Sequence, residues 1–319
     1  MVNGDAGIPG AHSLFLLICH AGICAAQSSI VSEAPASFSS VCMGRYAFSL
    51  PAEARLIGRT QWMNYARIEV RAAAPGETLE AVAAAIEKRE REGDPYLPVA
   101  GVAHERIATD IIAVTVRKNP DHARVSAARL AGGNAFEATH ELGEAKWQLA
   151  RETVVAIVKA ISTAPDATQR SAGFCVDRGV VDLPFAWQEA AAAGFEFGPG
   201  TRLFVDIQTN GKIVPAPLLR DAAAIQRRMG ATGVRTQTLR AHARTLAGID
   251  GEELVIVNED RPEALLQWLA VGKPVSGDHP SIRIRAEGRY PDSPEAARRL
   301  GCAPRLAAEA LIPPARATL

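Results

Sequence analysis

The sequence predicts an α+β protein made of two structurally similar domains, each a mainly antiparallel sheet with helices on one face. Three observations predict it. The first is an internal repeat: Cys42-Met-Gly-Arg-Tyr-Ala-Phe-Ser-Leu50-Pro51 is matched by Cys175-Val-Asp-Arg-Gly-Val-Val-Asp-Leu183-Pro184. In both copies a cysteine opens a short apolar run that Leu-Pro closes, and a repeat fixes architecture before any motif does. The second is element order: strand-like runs, a helix, further strand-like runs, then a helix, in each half. The third is length, since 319 residues suit two domains of roughly 150 residues each.

In the first half, Cys42 to Leu50 is a strand that Pro51 ends, because proline cannot donate to a sheet ladder. Ala66 to Ala72 alternates Ile68 and Val70 with Arg67, Glu69 and Arg71, the two-residue period of a strand. Glu77 to Gly93 is a helix whose stripe is Leu79, Val82, Ala83 and Ile86. Acidic residues suit its start and glycine its end. Ile107 to Val116, Arg124 to Leu130 and Ala135 to His140 follow as strands. Ala145 to Ser162 is a second helix with Trp147, Val154, Ile157, Val158 and Ile161 inward. Pro165 to Arg170 is the linker.

In the second half, Phe174 to Leu183 repeats the opening strand, and Thr201 to Gln208 alternates Leu203, Val205 and Ile207 with polar residues. Leu218 to Met229 is a helix between Pro217 and Gly230. Thr238 to Ala247, Leu254 to Asn258, Leu265 to Val271 and Ser281 to Ala286 are strands, with a turn at Ile249-Asp250-Gly251. Glu295 to Ala310 is a poorer helix, interrupted by Gly301 and Pro304. The domains are expected at 41–165 and 171–319.

Composition narrows the function. Hydrophobic residues make up 48% of the chain and charged residues 22%, with 35 basic and 35 acidic side chains. That balance gives no electrostatic footprint for nucleic acid or anionic lipid. Leu14 to Ala26 reads LFLLICHAGICAA, of signal-peptide length, and Cys24-Ala25-Ala26 offers small residues for cleavage. Residues 1–13 lack the usual Lys or Arg. The reading is a signal peptide at 1–26, a flexible lead-in at 27–40 and export; a buried helix is the alternative. Cys19 and Cys24 would leave with the leader. Cys42, Cys175 and Cys302 remain, and an oxidising compartment permits a pair. A bridge between Cys42 and Cys175 would staple the two halves; otherwise both are small buried residues.

The residues offer no catalytic, cofactor-binding or metal site. There is no Gly-x-Ser-x-Gly elbow and no glycine-rich phosphate loop. His104-Glu105 and His140-Glu141 each lack a second histidine one turn on. Cys302 with His279 is the one nucleophile–base pairing that invites naming, and packing explains Cys302 better. Glu252 and Glu253 follow a turn, and a solvated strand edge explains them better than acid–base work. Glu87 to Glu92 is a mixed-charge helix end held by pairs one turn apart. Such a chain reads as a binder.

Several stretches carry a resemblance. Cys42-x-Gly44-Arg45-Tyr46-x-Phe48-x-Leu50-Pro51, Gly173-Phe174-Cys175 and the run from Leu239 to Leu254 occur in order. Gln267-Trp268, Gly272 and Pro280-Ser281-Ile282-x-Ile284 follow. Together, from Val41 to Glu287, they resemble the two-domain type VI secretion lipase immunity proteins, group four. The resemblance implies a periplasmic antitoxin whose two domains clamp a phospholipase effector and hold its lid closed. It implies no cofactor and no nucleic-acid or membrane partner. The chain departs from the family at Leu300-Gly301-Cys302, where a Trp-Asp pair is usual. The shared motifs look like framework, so contact residues are sought in loops. Arg59 to Tyr65, with Trp62 and Tyr65 as anchors, and Gly272 to His279, with Lys273, Asp278 and His279, are the candidates. A periplasmic ligand-binding or envelope structural module is the competing reading, and an envelope hydrolase a third.

Overall fold

A computed structural model describes residues 38–289, apart from 94–95, 97, 120–121, 144–145, 164–172, 187, 198–199, 210–213, 247, 262 and 278. The leader, most of the lead-in, the linker, the last helix, Cys302 and Asp278 lie outside the described residues.

The repeated opening motif is a hairpin in both halves rather than one strand. β1 (Phe38–Met43) turns at Gly44-Arg45 into β2 (Tyr46–Pro51). Gly44 has φ +59, which glycine adopts without strain, and its bare Cα also lets the turn approach Ala191. In the second half β10 (Phe174–Val176) turns at Asp177-Arg178 into β11 (Gly179–Val181), which pairs on its other edge with β9 (Ile161–Thr163).

The remaining strands form one twelve-stranded sheet. In the first half they are β3 (Arg55–Met63), β4 (Ala66–Ala72), β5 (Gly101–Ala108), β6 (Ile111–Asn119), β7 (His122–Ala131) and β8 (Asn134–Leu142). In the second they are β12 (Glu189–Phe197), β13 (Thr201–Gln208), β14 (Thr236–Leu246), β15 (Ile249–Asn258), β16 (Glu263–Ala270) and β17 (Ser281–Arg289). The order is β14-β15-β16-β17-β13-β12-β3-β4-β8-β7-β6-β5, and every ladder is antiparallel.

Among the described residues three helices pack on it: α1 (Leu79–Gly93), α2 (Trp147–Lys159) and α3 (Leu218–Ala231). Thr78 Oγ1 accepts the Ala81 N–H at the start of α1, a cap worth about 1 kcal/mol. The α+β class and antiparallel sheet agree with the sequence; the helix placement differs from one-face packing. β6 alternates: Ile112, Val114 and Val116 meet Leu79, Val82 and Ile86 of α1, while Ile111 and Ala113 meet Val154, Ile157 and Val158 of α2. A central strand buried on both sides explains why its apolar residues run continuously. Following the register, α3, which covers Leu254, Ile256 and Leu269, lies on the α1 face, and the two hairpins lie on the α2 face. No described helix is long and apolar enough to cross a membrane.

Other differences are local. Ile107 to Val116 is two strands parted at Thr109-Asp110, and Ile249 to Gly251 is already inside β15. The second helix stops at Lys159, and Ile161 begins β9. Arg59 to Met63 is strand, not loop.

Candidate partner-binding surfaces

The two halves are interlocked. β3, from the first half, pairs along its length with β12, from the second. The β10–β11 hairpin, from the second half, pairs with β9 of the first. Gly179 of that hairpin lies so close to the Phe136 ring and Ser162 carbonyl that a Cβ would be 3.1 and 2.9 Å from them. The β1–β2 hairpin in turn sits beneath β12: Arg45 donates to both carboxylate oxygens of buried Glu189, at 2.8 and 2.7 Å, and to the Leu183 carbonyl. So each opening repeat packs on the other half.

The hairpins meet where Cys175 N–H donates to the Gly44 carbonyl at 2.6 Å, and the structure joins Cys42 and Cys175 by a disulfide with Cα atoms 5.9 Å apart. β3 grips both hairpins from above. Gln61, buried, donates to the Cys175 carbonyl at 2.7 Å and accepts the Asp177 N–H at 3.4 Å. Arg59 donates to the Cys42 carbonyl and lies 3.8 Å from Asp177.

Two surfaces flank this lock. The first is a cleft. β3 and β4 pair only at Gln61–Ile68, Trp62–Arg67 and Met63–Ala66. Beyond those pairs they part, and a cleft of about 400 Å³ opens with Ile68, Val70 and Phe136 on its floor and Arg59, Arg71 and Arg89 on its walls. The wall charges are engaged. Glu77 beside Arg71 raises the guanidinium pKa and is itself lowered by that bond, and Glu137 raises the pKa of Arg89.

The second surface is an apolar rim at the closed end of that cleft. The β3–β4 turn is Asn64-Tyr65, with φ +49 and +64. Positive φ at both central positions is the type I′ pattern, in which glycine normally follows asparagine. Here a tyrosine takes that place, 47% exposed, with its N–H held by Gln188 Oε1 at 2.6 Å and its ring 6.4 Å from that of His140. Trp62, near the end of β3, is partly exposed. Adjacent strand ends bring in Phe185, which lies under Arg45 at 6.0 Å and against Gly277, and Val275, exposed with φ +48. Lys273 N–H donates to the His279 carbonyl at 2.9 Å, and His279 Nδ1 lies 3.4 Å from Ser276 Oγ. The structure thus gathers Trp62, Tyr65, Lys273 and His279 at one end of neighbouring strands. Phe185, which the sequence did not single out, belongs with them; its only signal is an aromatic after Pro184.

The other residues weighed for chemistry have structural partners. His104 pairs with Glu87 at 3.1 Å and Glu105 with Arg151. Burial lowers the pKa of His140. Glu252 and Glu253 sit on opposite faces of β15: Glu252 Oε2 accepts the Leu219 N–H that opens α3, at 2.8 Å, and Glu253 is buried against Arg244. Among the described residues no cluster has metal-ligand composition.

Residues 168–298 match the Tle cognate immunity protein 4 C-terminal domain. That stretch is therefore similar to a Tli4-type immunity domain. The fold is shared with solved structures along most of the chain. The apo immunity protein TplEi of the Pseudomonas aeruginosa type VI secretion system superposes with TM-score 0.65 at 17% identity, over 85% of this chain and 96% of that one. TplEi complexed with an "L" peptide gives 0.67 at 17% identity, and a chain of the Tle4–Tli4 complex 0.68 at 16%, with the same coverage. No curated protein matches significantly.

Proposed function

We propose that this chain is an immunity protein that binds a cognate type VI phospholipase effector in the periplasm and holds its lid closed. The observation that carries the reading is the match of residues 168–298 to the Tle cognate immunity protein 4 C-terminal domain, within a fold shared over 85% of this chain with a chain of the Tle4–Tli4 complex. The Leu14–Ala26 stretch supports export.

The geometry suits a clamp. Two half-sheets diverge from one short hairpin, and the lock of disulfide, Gln61 and Arg59 holds them from behind. A lipase must open an apolar lid to meet lipid. A protein that grips only the closed state shifts that equilibrium by its differential affinity. Two jaws on one target add effective concentration without new contacts. No reacting group is needed. The cleft would receive the effector element, and the rim of Trp62, Tyr65, Phe185, Lys273 and His279 would supply anchors, aromatics being enriched at such positions.

The test is co-expression with a candidate type VI phospholipase effector. The pair should co-purify and phospholipid hydrolysis should stop. Tyr65→Ala and Phe185→Ala should each weaken binding by roughly tenfold, the effect of losing a partly buried anchor. Absence of binding at micromolar concentration would overturn the reading.

A further inference from the structure

Tyr65 sits where its own backbone preference would not put it. Asn64 and Tyr65 carry φ +49 and +64, and a left-handed tyrosine is disfavoured because its Cβ crowds the following carbonyl. Both amides of this turn are held by one residue of the other half. Asn64 N–H donates to the Gln188 carbonyl at 2.7 Å, extending the β3–β12 ladder one step past the Glu189–Met63 pair. Tyr65 N–H donates to the Gln188 side-chain oxygen at 2.6 Å. Gln188 is itself held in place through its neighbour, the buried Glu189. Ala186 N–H donates to Glu189 Oε1 at 3.0 Å, Arg45 donates to both carboxylate oxygens, and Glu189 N–H donates to Thr209 Oγ1 at 2.8 Å. Arg45 also reaches the Leu183 carbonyl and lies over the Phe185 ring. One short stretch of the second half therefore carries Phe185 near one end and grips the turn that carries Tyr65 at the other. The Tyr65 ring rests 6.4 Å from the ring of buried His140.

We propose that Gln188 is a positioning residue of the rim: its side-chain oxygen holds Tyr65 in the left-handed turn and so sets that aromatic at a fixed place beside Phe185. The inference rests on the effector-binding reading of the rim. The role asks for no contact between Gln188 and the partner. It asks for an acceptor at the end of a side chain of this length. Glutamate keeps that acceptor, whereas methionine keeps the length and loses the oxygen. With the turn set in advance, binding does not have to order the aromatic, which is the gain that preorganisation brings.

The test uses the full chain with 3-fluorotyrosine at its four tyrosines, the Tyr65 fluorine signal being assigned with Tyr65→Phe. In the chain alone, Gln188→Met should shift or broaden that signal, and Gln188→Glu should leave it in place. Binding is then titrated with a candidate type VI phospholipase effector. Gln188→Met should weaken it about fivefold, the worth of one hydrogen bond, and Gln188→Glu should bind as the parent does. In a Tyr65→Ala background Gln188→Met should add little, because it acts through that side chain. A residue that merely supports the fold would lower binding equally in both backgrounds. Equal losses, or a Tyr65 signal that Gln188→Met does not move, overturn the proposal. If the parent itself fails to bind the phospholipase, the effector reading falls, while the fluorine signal of the chain alone still decides whether Gln188 places Tyr65.

Discussion

Removing the Cys42–Cys175 bridge should destabilise the protein more than any single contact in it. The bridge spans 133 residues of sequence. Closing a loop of that length in the unfolded chain removes entropy worth about 5 kcal/mol at 25 °C on the chain-entropy relation. The folded side adds little, because both cysteines sit in a small apolar cluster with Val180 and the two hairpins are also joined by the Cys175–Gly44 hydrogen bond. Cys42→Ala with Cys175→Ala should therefore keep the fold and lose most of that amount, a fall in melting temperature of about 10 °C for a chain of this size.

Urea unfolding of the double variant and of the oxidised parent is the decisive assay. The midpoint should drop, and the denaturant slope should rise, because an uncrosslinked unfolded chain exposes more surface. Mapping without reductant should recover the Cys42–Cys175 peptide from the parent. A loss below about 1 kcal/mol with an unchanged slope would refute the reasoning, since the bridge would not be restricting the unfolded chain.

Three further outcomes follow from the same geometry. Tyr65→Gly relieves a left-handed tyrosine and should raise stability by about 1 kcal/mol while weakening effector binding; paired melting and binding measurements check both signs. Gly251→Ala would set a Cβ 2.5 Å from the Trp268 indole, whose Nε1 donates to the Arg244 carbonyl across β15, and should cost about 2 kcal/mol or more in chemical denaturation. Burial holds the His140 pKa below its ordinary 6.5, so as pH falls through that value the unfolded chain binds a proton that the folded one resists, and stability declines. His140→Gln should flatten that part of the stability–pH curve; parallel curves for the two proteins would exclude the effect.

Periodicity was legible wherever a strand is covered on one face. β4 and β13 fall on the predicted residues Ala66–Ala72 and Thr201–Gln208 because apolar and polar positions alternate cleanly there. β3 and β12 carry no such signal. β12 is Glu-Ala-Ala-Ala-Ala-Gly-Phe-Glu-Phe, a run with weak strand preference that becomes strand because β13 and β3 pair on either side. Its small residues have a reason that only the fold reveals: the Gly44 turn presses on Ala191. Both repeated motifs read as single strands because their turns, Gly44-Arg45 and Asp177-Arg178, interrupt apolar runs too briefly to break the pattern. At the rim, Trp62 and Tyr65 were legible by residue type in a polar stretch. Phe185 was not, because its place follows from Gly277 arriving from a distant loop.

The two opening motifs do more than repeat a sequence pattern. A simple duplication would leave each opening hairpin on its own sheet and the two halves joined by a linker. Here the hairpins are crossed over, and β3 of one half completes the sheet of the other. The relative position of the two half-sheets is therefore set by main-chain pairing and a covalent bond rather than by side-chain packing alone. Binding energy that a hinged clamp would lose in ordering its jaws remains available for the target. On the proposed clamp, the interlock is the physical reason why the chain would act by shape, and why Arg59 and Gln61, behind the cleft, would matter to binding without touching a partner.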